Sequence, residues 1–189
     1  MRTSWIATLA VLVLAAAPAA QAENAAADKG DAAFVQQALK SGQEEVAIAK
    51  LAAEKAQSAE VKQLAQMLVS DHTAVNEQLA LLAQRPGAAP APKDGPRGDA
   101  SPPPAAPGGA PSSPKLDELG KLSGAEFDKR FLAIIAEGHE KSVELWNKEA
   151  ETGANPAAKK LATETLPKIR SHLQQAKSLL QTTEKKQSR

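Results

Sequence analysis

"VKQLAQMLVSDHTAVNEQL", residues 61–79, decides the fold. Val61, Leu64, Leu68, Val75 and Leu79 recur at steps of three, four and seven, the spacing of one helix face and of no strand. His72 falls on that same face, four residues after Leu68 and three before Val75, with Asp71 beside it. A histidine on a face that should be buried needs a polar partner there. The rest of the chain has to supply it.

Working outward, the same periodicity predicts three more long helices. The first follows Asp31 as N-cap and runs to about Gln57, with Val35, Ala38, Gly42, Ala49, Ala52 and Ala56 as its inner stripe. Leu39, Val46 and Ala53 flank that stripe. The second follows Ser58, adds Leu82 to its inner face and ends near Gln84, before Pro86. The third opens at Ser123 with Glu126 three residues on, a capping-box pattern, and buries Phe127, Phe131, Ile134, Ile135, Gly138, Leu145 and Trp146. Gly153 closes it, and Asn155–Pro156 cap and start the fourth, which carries Leu161, Ile169, Leu173, Ala176 and Leu180 and is kinked by Pro167.

Between the pairs, residues 85–114 hold ten of the 13 prolines and five glycines, so no packed helix or strand forms there. This segment is read as a disordered linker and passive spacer, with "KLDELGKL" as a helical turn just after it. Four helices of about 25 residues, near 38 Å each, make an all-α, ferritin-like four-helix bundle of two antiparallel pairs. The domain spans residues 31–184, interrupted by the linker, with 185–189 as a disordered tail. Strand patterns are missing throughout, which excludes a β-barrel.

Composition sets the compartment. Arg2, the apolar run "WIATLAVLVLAAA" and the small-residue site at Ala20–Ala22 read as a cleaved signal peptide over residues 1–22. The run is too short for a good membrane span, so the expected product is periplasmic, with no span after the signal is removed. There is no cysteine, which rules out a lipid-modified N-terminal Cys, disulfides and thiolate ligands. Removing the signal leaves 167 residues with 22 basic and 22 acidic side chains, since Arg2 is the only charge lost. That balance, with 3% aromatic residues and no tyrosine, leaves no surface for nucleic acid.

The three histidines share one level. His72, His139 and His172 each fall near the midpoint of a helix, and Glu45 falls at the midpoint of the first, on or beside the apolar face. The pattern predicts one polar layer through an Ala/Leu/Val core. Two readings follow. Either Glu45, Asp71 and the histidines satisfy one another and fix helix register, or they converge on one Zn, Cu, Fe or Ni ion. Convergence of Glu45, His72, His139 and His172 on one point favours the ion, and pairwise bonds without a centre favour register. A di-iron site needs two Glu-x-x-His pairs, and here Val69, Ala136 and Ile169 stand three residues before the histidines. Turnover would need a water-accessible pocket beside the histidines, so the expectation is a binding or structural protein rather than an enzyme. A protein partner in the cell envelope would use the Pro-rich segment or an exposed helix face.

"GQEEVAIAKLAAEKA", "VKQLAQMLVSDHTAVNEQL", "FDKRFLAIIAEGHEKSVELW" and "KKLATETLPKIRSHL" resemble, in that order, the bacterial domain-of-unknown-function family 4142. The resemblance covers nearly all of residues 31–182 outside the Pro-rich insert. It implies an exported, ferritin-like four-helix domain whose middle helices are joined by a crossover. The family's characteristic polar positions fall on Glu45, Asp71, His72, His139 and His172, and its members are often labelled predicted outer-membrane proteins. No reaction comes with the resemblance. The insert is longer than is usual for the family.

Overall fold

The computed structural model describes residues 18–84 and 113–187. They form α1 (Pro18–Lys55), α2 (Ala59–Gln84), α3 (Pro114–Gly120), α4 (Gly124–Thr152) and α5 (Pro156–Gln187), with no strand among the described residues. The four long helices are those read from the periodicity, and α3 is the turn expected after the linker. Its N-cap Ser113 accepts from the Leu116 N–H at 3.2 Å, and Pro114 follows in the first turn, so this much of the expected linker is helix. The other linker residues, 85–112, and the first 17 residues of the expected signal lie outside the described residues. No helix among the described residues is long and apolar enough to cross a membrane.

α1 packs along α2 and α4, and α5 packs along α2 and α4, so α1–α5 and α2–α4 are the diagonals. The α1 residue Asp31 meets the turn after α4, while Asp128 at the start of α4 meets the turn after α1. These contacts make α1 and α4 antiparallel. α2 ends beside Phe34 and Trp146, whereas α4 begins at the other end, so α2 and α4 run parallel. This is the ferritin-like topology expected from sequence.

Three helix ends differ from expectation. α1 extends back to Pro18, so Asp31 is an interior helix residue rather than its N-cap. Its carboxylate instead accepts from the Ala154 N–H at 3.1 Å and from the Asn155 N–H, capping the α4–α5 turn across the bundle. Ser123 is the N-cap of α4 but makes no side-chain cap bond. Gly124 follows with φ of +61°, which takes the first turn out of the geometry a capping box requires. α5 reaches Gln187, into the expected tail, through residues that are good helix formers, and it is continuous through Pro167. Asn155 caps it as expected, accepting from the Ala157 N–H at 2.9 Å and the Ala158 N–H at 3.2 Å.

The core comes in two parts. One gathers Ile48, Ala49, Ala52, Leu64 and Leu68 with Phe127, Phe131, Leu132 and Ile135. In this cluster the small alanines of α1 share one core with the two bulky phenylalanines of α4, a pairing of small with large that fills space evenly. The other holds Phe34 against Trp146, edge to face at 5.1 Å between ring centroids, with Leu79, Leu161, Leu166 and Ile169. Each such fully buried side chain contributes roughly 1.5–3 kcal/mol. His72, His139, His172 and Glu45 sit in sequence between the members of the two clusters on every long helix.

Candidate metal centre

Glu45 of α1, His72 of α2, His139 of α4 and His172 of α5 meet where the two core clusters divide. Each of the three imidazoles offers a ring nitrogen within 4.8 Å of the other two, and the ring centroids are 5.4 to 5.6 Å apart. His139 is fully buried, His172 nearly so, and Glu45 and His72 each keep 12% of the side chain exposed.

The outer ring atoms are fixed by acceptors. His139 Nδ1 lies 2.8 Å from Glu45 Oε1 and 3.0 Å from the Ile135 carbonyl, so it carries a hydrogen and leaves Nε2 facing the centre. His172 Nε2 lies 3.0 Å from Asp71 Oδ2 and likewise carries a hydrogen, which leaves Nδ1 with the lone pair. These two lone-pair nitrogens face each other at 3.3 Å. With both outer nitrogens protonated, only a further proton or a metal ion can join these two lone pairs. His72 Nε2 is buried without a hydrogen-bond partner; Glu45 Oε2 is 3.4 Å away but not aligned for a bond.

The electrostatics match that geometry. Burial pushes the His72 and His172 imidazoles below their usual range, and neighbouring imidazoles push the same way, against partial support from Glu45 and Asp71. Burial alone would raise the Glu45 carboxyl, yet His72, His139 and His172 outweigh it and hold the acid below its ordinary value. Glu45 is therefore held as a carboxylate by the imidazoles around it. Asp71 belongs to the edge of the layer: a quarter exposed, it accepts from His172 and from Lys168 Nζ at 2.7 Å, and these outweigh its own desolvation to lower its carboxyl.

Of the five residues singled out from sequence, the structure brings the three histidines to one centre, sets Glu45 against two of them and leaves Asp71 behind His172. Lys168 and the Ile135 carbonyl were missed. Each stands four residues before a histidine of the layer, the helical step that places it alongside. Asn76, one turn beyond His72, was also missed. Its buried Oδ1 has no partner and packs against Gly42, where an added Cβ would displace the Asn76 side chain.

A chain of this topology with this polar layer belongs to a defined class. The family described as "Domain of unknown function (DUF4142)" matches residues 16–179, and the protein is a member of it. A comparison with curated proteins finds no match. Among solved structures, the chain is similar to a DUF305 fragment from Deinococcus radiodurans (18% identity, 81% of this chain and 96% of that one, TM-score 0.62). It is also similar to a DUF305 protein from Streptomyces coelicolor (19%, 83% and 94%, TM-score 0.64). A third likeness is to CopM in its silver-bound form (19%, 80% and 96%, TM-score 0.61). At these identities the likeness establishes the shared helical fold.

Proposed function

We propose that this protein is exported to the periplasm and binds one transition-metal ion there. His72, His139 and His172 are the ligands, Glu45 holds His139 and offers its second oxygen, and Asp71 orients His172. The observation that carries the reading is the pair of lone-pair nitrogens facing each other at 3.3 Å, with the unpartnered His72 Nε2 beside them. Three imidazoles and a carboxylate suit Zn, Cu, Fe or Ni far better than Ca or Mg. The fold likeness to a silver-bound protein lends weight to copper, since Cu(I) and Ag(I) share softness and charge. Binding, rather than turnover, is the proposed role. Thermal melts with and without each ion test it: a metal-dependent rise is expected. No rise, or one that survives His72→Ala combined with His139→Ala, overturns the reading.

A second reading places a proton rather than a metal between His139 Nε2 and His172 Nδ1, which completes a chain of bonds from Lys168 through Asp71, His172 and His139 to Glu45. On that reading the layer only sets helix register and the protein is a structural or interaction module of the envelope. It predicts that His→Leu changes in the layer leave the fold intact or firmer.

A further inference from the structure

Away from the metal centre, two more acids are buried together. Asp31 of α1 is 6% exposed and Glu149 of α4 is 5% exposed, at the end where Phe34 packs on Trp146. Both Asp31 oxygens are taken by the amides of Ala154 and Asn155 in the α4–α5 turn. Glu149 stands at the same turn: its backbone carbonyl accepts from the Gly153 N–H at 2.9 Å, beside the amides that Asp31 holds, and its Oε1 is buried without a partner. Gly153 makes room for this: a Cβ there would lie 2.6 Å from Glu149 Oε1 and from the Glu149 carbonyl oxygen. Two ionised carboxylates cannot share such a place without a cation. A metal ion is poorly served, because the pair has only two carboxyl groups and Asp31 is already occupied by amides. A proton needs no more than this.

We propose that Asp31 and Glu149 form a proton-operated clasp, in which a proton held between the two carboxyls ties the α4–α5 turn to α1 and its loss loosens that turn. The charged groups acting on Glu149 are Asp31 from α1 and Lys159 from α5. Burial first, and then the Asp31 charge, raise the Glu149 carboxyl from its usual 4.5 to about 7, against the smaller opposing pull of Lys159. An acid raised by folding binds its proton more tightly in the folded chain. The stability it adds is full below about 4.5, falls as pH rises towards 7 and is gone above it.

Hydrogen exchange on the full chain between pH 5.5 and 8.5 tests the clasp. The amides of Ala154 and Asn155 are compared with those of Gln57 and Ser58, which Asp128 holds in the same way at the other end. After correction for intrinsic exchange, protection at Ala154 and Asn155 is expected to drop at least threefold more than at Gln57 and Ser58. Glu149→Gln, which cannot ionise, is expected to abolish that difference. Equal pH dependence at the two ends, or a difference that persists in Glu149→Gln, overturns the clasp. Should that variant not fold, the carbon-13 shift of the Glu149 carboxyl in the wild-type chain decides: a midpoint near 7 supports the clasp, and one near 4.5 overturns it. Protection at pH 8 restored by added calcium would also overturn it, because the closing cation would then be a metal.

Discussion

The two ends of the bundle are closed by one device with different chemistry. At one end Asp128 of α4 reaches across to the amides of Gln57 and Ser58, at 2.9 and 2.8 Å. At the other, Asp31 of α1 reaches to the amides of Ala154 and Asn155. The same sequence interval separates Asp31 from Asp128, Phe34 from Phe131, Ser58 from Asn155, Leu64 from Leu161 and Ala65 from Ala162. The halves are thus alike in framework, and each caps the other's turn. They part where chemistry is concerned. By that interval, Glu149 stands opposite Ala52, which packs in a wholly apolar core. His139 stands opposite Gly42 and His172 opposite Val75. The shared positions hold the helices together, and the unshared ones carry the polar layer and the buried acid pair.

That comparison can be broken at its strongest point first. Asp128→Ala leaves two turn amides without the carboxylate they share, and the expected cost is about 3 kcal/mol in urea denaturation, with Asp128→Asn recovering part of it. Asp31→Ala should cost less at pH 8, because it also relieves the charge of Glu149. Equal losses at pH 8 would mean that the two caps are equivalent and the acid is idle.

Next in size is Gly153→Ala. The new methyl meets the Glu149 carboxyl and backbone, so a loss of about 1–3 kcal/mol is expected from a position that looks like an ordinary helix stop. Gly120→Ala, with nothing within 4 Å of the added carbon, is the control and should show no such crowding. Lys168→Met should have the smallest effect on stability, under about 1 kcal/mol, because more than half of the lysine is exposed to water. In the polar layer it frees Asp71, so on the proposed function its signature is a change in metal affinity with the melting temperature of the metal-free chain nearly unmoved. A large drop in that melting temperature would assign Lys168 to the fold instead.

The helices and the level of the polar layer were legible in the sequence because both follow from periodicity. Leu68, His72 and Val75 on one face can only be buried together, and midpoints of helices of similar length meet at one height. Caps were legible only where they are local, as at Asn155. Asp31 before an apolar stripe has the pattern of an N-cap, and nothing nearby in sequence says that its partners are Ala154 and Asn155. Glu149 was invisible for a related reason. It occupies an ordinary helical position, and its burial depends on Asp31 and on the space above Gly153. The layer's own wiring was half legible: spacing placed the histidines together, but which ring nitrogen faces the centre depends on acceptors such as the Ile135 carbonyl.

The central claim is that three imidazoles hold one ion in the middle of the bundle. X-ray absorption on the full chain loaded with copper or zinc tests it most directly, with the bound ion counted by mass spectrometry. One ion per chain is expected, with a first shell dominated by imidazole nitrogen that loses one ring in His172→Ala. A chain that retains no ion, or an ion whose shell shows no imidazole, would contradict the account.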